Sequence, residues 1–166
     1  MIVPLMAGGE FALVKQHLQS IGLKPDIRRG MPVTDSVLYY MLADLAVLER
    51  DRAHLRRYAP KALEMAGRDG HALFQASAHR ALGVMHRLAG EVKESETNLR
   101  LALQMFAELN TRWQLGRTIV ELAELALDQA DDENARGLYL KAIDAFDAMG
   151  AFPDLKRAQD ALRAID

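Results

Sequence analysis

Apolar residues recur every three or four positions along most of the chain. Leu82, Met85 and Ala89 show this spacing, and it places side chains on one face of an α-helix. Alternation of apolar and polar residues, the mark of a half-buried strand, is not the dominant pattern. The sequence therefore predicts an all-α fold with helices at about 10–22, 34–49, 52–67, 71–88, 92–108, 112–129, 132–148 and 153–165.

Proline and glycine interrupt this pattern at two places. Residues 24–33 contain Pro25, Gly30 and Pro32, so this segment is predicted to be an irregular connection. Pro60 falls inside a predicted helix, where it removes a backbone hydrogen bond and clashes with the preceding turn. We therefore expect a kink or a break at Pro60.

The helical pattern returns after forty residues. Residues 80–84 correspond to 120–124 and, more loosely, to 40–44, each with a large apolar residue followed by a small one. Gly30, Gly70, Asn110 and Gly150 share this spacing, and Gly and Asn readily adopt the left-handed conformation that ends a helix. The sequence therefore predicts repeated units of two helices each.

Small residues occupy matching positions in both helices of a unit. Gly83 and Ala123 lie forty residues apart in the first helices, and Ala102 and Ala142 do so in the second helices. Small side chains at these positions allow the two helices of a hairpin to approach closely.

The pattern resembles the tetratricopeptide repeat, whose signature combines these small residues with large apolar ones. Two units carry the signature, at Leu82, Gly83, Ser95, Leu99 and Ala102 and at Leu122, Ala123, Ala135, Tyr139 and Ala142. The resemblance implies antiparallel helix hairpins stacked in a right-handed superhelix, an α-solenoid. The period is forty residues instead of thirty-four, and such extended repeats are similar to the C-terminal superhelices of large bacterial transcription regulators and cyclases.

On this basis residues 1–166 are expected to form a single tetratricopeptide-like domain. It would comprise a half repeat at 10–23, repeats at 34–69, 70–109 and 110–149, and a C-terminal capping helix at 150–166. The apolar residues 1–6 precede a helix that has no first-helix partner. We therefore expect either that the chain is the C-terminal part of a longer protein or that its N-terminal face meets a partner.

The amino-acid composition agrees with a helical protein and limits the partners and the location expected for it. The 166 residues include 26 Ala and 25 Leu, which are strong helix formers, and only 18 Val, Ile and Thr. The net charge of −2 argues against direct nucleic-acid binding, and the longest apolar run, 1–7, is too short to span a membrane. The chain has no cysteine, which excludes disulfides and thiolate metal sites and agrees with a cytoplasmic location.

The resemblance also implies where a partner would bind. Tetratricopeptide arrays bind along the face of their first helices, which predicts a site at Tyr40, Asp44, Arg80, Val84, Arg87, Arg117, Glu124 and Arg157. Arginine suits bidentate contacts with carboxylates, so an acidic or extended peptide is the expected partner. The alternative is that the arginines are ordinary solvated residues, neutralised by Glu121, Glu124 and Asp160.

Other candidate chemistry is weak. His71, His79 and His86 lack the further ligands of a metal site, and the acidic stripe of Glu121, Glu124 and Asp128 is interpreted as a solvated face. Trp113 is expected to be a wedge between repeats. The sequence contains no phosphate-binding loop and no hydrolase motif, so neither catalysis nor a cofactor is expected.

These observations lead to a non-catalytic scaffold for protein–protein interaction, which binds a peptide or partner segment in a concave groove and belongs to a larger signalling or regulatory protein. An alternative is a ligand-sensing or oligomerisation domain of a bacterial transcription regulator or cyclase. A third is a module that forms a homodimer through its N-terminal face.

Overall fold

The computed structural model of the protein describes residue 16 and residues 35–165. This part is all-helical and contains seven α-helices and no strand. The helices are α1 (Asp35–Leu48), α2 (Arg52–Arg68), α3 (Ala72–Ala89), α4 (Val92–Glu108), α5 (Arg112–Asp128), α6 (Asp132–Met149) and α7 (Phe152–Arg163). All seven helices expected between 34 and 165 are confirmed. The predicted helix at 10–22, apart from residue 16, and the irregular segment at 24–33 lie outside the described residues.

The helices recur with a regular spacing. Helices α2, α4 and α6 begin at residues 52, 92 and 132, and helices α3, α5 and α7 begin at residues 72, 112 and 152. The forty-residue unit is therefore confirmed as a pair of helices. Each helix packs against the next one along the chain, and α1 also packs against α3.

The connections between helices share one backbone geometry. A residue with positive φ follows every helix from α1 to α6, and these residues are Arg50, Gly70, Gly90, Asn110, Ala130 and Gly150. The next amide donates a hydrogen bond to the carbonyl five residues earlier, as from His71 N–H to the Ala66 carbonyl at 2.9 Å. This is the left-handed helix cap. The sequence indicated it where Gly or Asn is present, but Arg50 and Ala130 adopt it without such a residue.

Close approach of paired helices depends on glycine at two positions. A Cβ atom added to Gly83 would lie 2.6 Å from Leu99 Cγ, and one added to Gly116 would lie 2.7 Å from Phe146 Cε1. The Ser95 hydroxyl also donates a hydrogen bond to the Gly83 carbonyl at 2.9 Å. The predicted role of Gly83 in the contact between α3 and α4 is confirmed.

Pro60 does not break its helix, so of the expected kink or break the break is excluded. Helix α2 runs without interruption from Arg52 to Arg68 with Pro60 inside it. The carbonyl that loses its hydrogen bond belongs to Arg56, and both Pro60 and Arg56 are exposed, whereas Leu55 and Ala59 are buried on the opposite face. Water can therefore replace the lost partner without disturbing the buried face.

Helix α7 is the last helix of the described part of the chain, and it packs through one apolar face. Leu155, Ala158 and Leu162 pack in a cluster that includes Tyr139 and Phe146 of α6. The opposite face of α7 is charged and exposed. In the described part of the chain, no helix is both long and apolar enough to cross a lipid bilayer.

Candidate functional site

The predicted partner-binding residues lie on the first helix of each unit. The α1 helix carries Tyr40 and Asp44, the α3 helix carries Arg80, Val84 and Arg87, the α5 helix carries Arg117 and Glu124, and the α7 helix carries Arg157. Five of these eight are buried, namely Asp44, Arg80, Val84, Arg87 and Arg117. Tyr40 and Glu124 are partly exposed, and Arg157 is exposed.

One carboxylate joins three of these helices. Asp44 Oδ1 accepts a hydrogen bond from Arg80 Nη2 at 2.7 Å, and Asp44 Oδ2 accepts one from Arg117 Nη1 at 3.0 Å. Arg80 Nη1 donates a second hydrogen bond to Gln114 Oε1 at 2.6 Å. We call Asp44, Arg80, Gln114 and Arg117 the buried arginine cluster.

Arg80 is the most enclosed member of this cluster. Its side chain is fully buried, and its guanidinium carbon lies 5.3 Å from the centre of the Phe106 ring. Its Nε atom is buried and has no hydrogen-bond partner. Burial and the nearby charge of Arg117 lower the pKa of Arg80, but an arginine remains charged throughout the usual pH range.

The two guanidinium groups determine the state of Asp44. Burial by itself would raise the pKa of Asp44, but attraction to Arg117 and Arg80 outweighs burial, and the pKa of this carboxyl lies below its ordinary value. Burial also raises the pKa of the Tyr40 hydroxyl next to it. At neutral pH the cluster is therefore a carboxylate held between two cations.

Burial corrects the interpretation of these arginines as peptide-binding residues. Arg80 and Arg117 are 0% and 6% exposed and both pair with Asp44, so little of either guanidinium is open to a partner. The alternative interpretation as solvated arginines is also wrong for these two, since their counterion is Asp44. The pairs span 36 and 73 residues of sequence, a separation at which helical spacing within one segment carries no signal.

A second group of charges lies further along α3 and α5. Arg50 pairs with Glu121 at 2.5 Å and with Glu124 at 3.6 Å. Arg87 pairs with Glu124 and Asp128, each at 3.2 Å. The acidic stripe predicted to be a solvated face is therefore engaged in ion pairs, and the Glu121 side chain is only 8% exposed.

A groove opens beside this charged group. Its inner part has a volume of about 310 Å³ and lies between the C-terminal end of α1, the α5 helix and the α7 helix. Its apolar lining consists of Val47, Leu48, Val120, Phe146, Ala158 and Ala161. Six charged residues also line it: Arg50, Glu124 and Arg157, each about one third to one half exposed, and the mostly buried Arg117, Glu121 and Asp154.

The groove continues towards the C-terminal end of α7. A second cleft of about 360 Å³ shares Glu124 and Ala161 with the first and adds Leu127, Asp132, Tyr139, Ala164 and Ile165. The Tyr139 hydroxyl donates a hydrogen bond to Glu124 at 3.3 Å. We call the two clefts together the α5–α7 groove.

Trp113 holds the beginnings of α5 and α7 together. Its indole Nε1 donates a hydrogen bond to Asp154 Oδ2 at 2.8 Å. The Arg117 guanidinium carbon lies 4.9 Å from the centre of the Trp113 ring. Trp113 is thus placed as a wedge between repeats, as the sequence suggested.

The histidines of α3 make contacts with the helix pair and its turn. His79 Nδ1 lies 3.0 Å from Asn98 Oδ1 on α4, and His86 pairs with Glu91. Within residues 35–165, no group of three His, Cys, Asp or Glu side chains is placed to hold a metal ion.

Comparisons with known proteins extend the description of the fold. No family model matches the chain, and no curated protein matches it in sequence. The crystal structure of BtubC (BKLC) from P. vanneervenii is similar, with a TM-score of 0.58 and 14% sequence identity over 99% of this chain and 76% of that one. At this identity the similarity concerns the fold alone, and it supports an all-helical, repeat-like architecture.

Proposed function

We propose that the chain is a protein-interaction module of the tetratricopeptide type, which holds an extended segment of a partner protein in the α5–α7 groove. In this proposal α1, α3, α5 and α7 line the inner surface of a right-handed superhelix. The module has no catalytic role and serves a larger signalling or regulatory protein.

The groove is the observation that carries this proposal. The stretch of α5 from Arg117 to Leu127 covers about 15 Å, the rise of ten helical residues. That length matches about five residues of extended chain. The apolar lining would gain free energy from burial, and the partly exposed charges along its sides would supply hydrogen bonds to a peptide backbone or side chain.

The set of candidate binding residues changes accordingly. Glu124 and Arg157 keep the role that the sequence predicted for them, because both line the groove and remain accessible. Arg50, Val120 and Ala161 join them. Arg117 lines the inner cleft but is almost fully buried. Together with Tyr40 and the rest of the buried arginine cluster, it would hold α1, α3 and α5 in the arrangement that leaves the groove open.

A substitution in the middle of the groove tests the proposal. Ala161 contributes to both clefts, so Ala161→Trp would fill the groove where they join. Ala107→Trp adds the same ring on an exposed position of α4 and serves as the matched control. Peptides selected from a random displayed library against the wild type should lose at least tenfold in affinity for Ala161→Trp and should bind the Ala107→Trp variant unchanged.

Fluorescence anisotropy with labelled synthetic peptides measures these affinities. Thermal unfolding followed by circular dichroism must show that both variants fold. Failure to enrich any peptide, or equal affinity of the folded Ala161→Trp variant and the wild type, would contradict the proposal.

The volume of the inner cleft favours a second candidate function. Its 310 Å³ lies at the lower end of the range of small-molecule sites, about 300–1,000 Å³. A ligand-sensing domain would bind a small molecule there and be stabilised by it. A panel of amino acids and dicarboxylates at millimolar concentration tests this candidate, since a bound compound should raise the melting temperature of the wild type and not that of Ala161→Trp.

A further inference from the structure

The charges along the α5–α7 groove are unevenly distributed. At the end where α7 begins, the accessible charges are positive: the Arg157 side chain is 46% exposed and the Arg50 side chain 35%. At the other end the accessible charge is negative, since the exposed Asp132 lines the outer cleft. Glu124, 30% exposed, lies between the two ends. The groove is therefore bipolar along its length.

Arg157 keeps an accessible charge at the positive end, whereas Arg50 is paired with Glu121 and Glu124. Arg157 pairs with Asp154, but the distance is 3.5 Å and Asp154 already accepts a hydrogen bond from Trp113. The Asp154 side chain is only 12% exposed, so the Arg157 guanidinium presents the accessible charge. A carboxylate of a partner could approach it from solvent.

The negative end is equally available to a partner. Asp132 lies in the first turn of α6 and lines the outer cleft. A basic side chain at this end would therefore meet an exposed carboxylate.

From this distribution we infer that the groove selects extended segments with an acidic residue at the Arg157 end and a basic residue, about four positions away, at the Asp132 end. The inference rests on the proposed function and adds the chemistry and the orientation of the bound segment. Charge complementarity fixes register and excludes wrong partners more than it adds affinity. The small apolar residues between the two ends would accept small or apolar side chains of the segment.

Displayed heptapeptide libraries test the inference directly. One library fixes Glu at position 2 and Arg at position 6, a second fixes the same residues in the reverse order, and a third has Ser at both positions. The wild type should prefer one charged library over the other by about two- to fivefold per ion pair, as expected for partly exposed pairs. The double variant Arg157→Glu/Asp132→Lys should reverse this preference.

A matched control distinguishes the effect of charges in the groove from the effect of charge changes elsewhere on the surface. Arg100→Glu/Glu108→Lys makes the same exchange on exposed positions of α4 and should keep the preference of the wild type. Equal binding of both charged libraries, or an unchanged preference in the groove variant, would overturn the inference while the Ser library still binds and supports the proposed function. No binding of any of the three libraries would reject the proposed function and the inference with it.

Discussion

The buried arginine cluster and the α5–α7 groove occupy equivalent positions of successive repeats, yet one is closed and the other is open. Arg80 and Val120 lie forty residues apart on the same face of α3 and α5. The long Arg80 side chain fills the space towards Asp44 and Gln114. The short Val120 leaves an equivalent space as part of the groove. The length of the side chain at this repeat position therefore determines whether the space is filled or open.

The same lesson applies to a second pair of equivalent arginines. Arg117 reaches Asp44, which precedes it by 73 residues. The residue 73 positions before Arg157 is Val84, which offers no carboxylate. Arg117 is accordingly 6% exposed, whereas the Arg157 side chain is 46% exposed. The presence or absence of one acidic residue on a neighbouring helix decides whether an arginine is structural or available to a partner.

Removal of the Asp44 carboxylate should have the largest effect on stability, and it separates the buried arginine cluster from the groove. Asp44→Ala would leave Arg80 and Arg117 buried without their counterion, and breaking a buried ion pair costs about 3–5 kcal/mol. Glu124 lies eighty residues later at the equivalent helix position and is partly exposed. Glu124→Ala should therefore cost no more than about 1 kcal/mol. Urea unfolding of both variants measures the difference, and equal losses would show that the cluster has no special role.

A substitution at the contact between α3 and α4 should have the next largest effect on stability. Gly83→Ala places a Cβ atom 2.6 Å from Leu99 Cγ and should destabilise the protein by about 1–3 kcal/mol through overpacking. Beneath the groove, Ala123 occupies the equivalent position and its methyl group is accommodated. Gly137→Ala on α6 meets no atom within 4 Å and should instead stabilise the protein by about 0.5–1 kcal/mol. Thermal unfolding would contradict this account if both changes had the same sign.

Acid should weaken the cluster in a predictable pH window. The pKa of Asp44 in the folded protein lies below its ordinary value of 3.8, so its stabilising contribution is complete above that pH and is lost as the pH falls through the lower, folded pKa. A single proton corresponds to a slope of at most about 1.4 kcal/mol per pH unit. The stability gap between the wild type and Asp44→Asn should therefore narrow below pH 3.8. A constant gap between pH 6 and pH 2.5, measured by urea unfolding at about 0.5-unit steps, would rule out this electrostatic origin.

Much of the fold could be predicted because its determinants are local. The three- and four-residue spacing of apolar residues located the helices, and Gly70, Asn110 and Gly150 marked their ends. A break at Pro60 was wrongly expected because the effect of a proline depends on which face of α2 is exposed. The left-handed conformation of Arg50 and Ala130 is imposed by the packing of adjacent helices and not by these residue types.

The site was predicted less well because it depends on contacts between distant segments. The sequence placed Glu124 and Arg157, which line the groove, among the candidate residues. It could not show that Arg80 and Arg117 converge on Asp44, because helical spacing carries no information across 36 or 73 residues. A search for opposite charges on neighbouring first helices would have suggested this pairing.

The smallest expected effect concerns Arg50, which lies between the cluster and the groove. Arg50 and Ala130 both adopt positive φ, 53° and 58°, where an ordinary side chain is strained. Ala130→Gly should therefore stabilise the protein by about 1 kcal/mol. Arg50→Gly gains the same relief but loses the ion pairs with Glu121 and Glu124, which are worth up to about 1 kcal/mol for a partly exposed group.

The two effects at Arg50 should nearly cancel, so that Arg50→Gly leaves the free energy of unfolding almost unchanged while Ala130→Gly increases it. The difference between the two variants in urea unfolding isolates the contribution of the Arg50 side chain, since the backbone change is the same in both. Raising the salt concentration to 1 M should shrink that difference, because screening weakens exposed ion pairs more than backbone strain. Equal stabilisation by both substitutions would show that Arg50 does not hold α1 to α5, and it would leave the buried arginine cluster as the link between these helices.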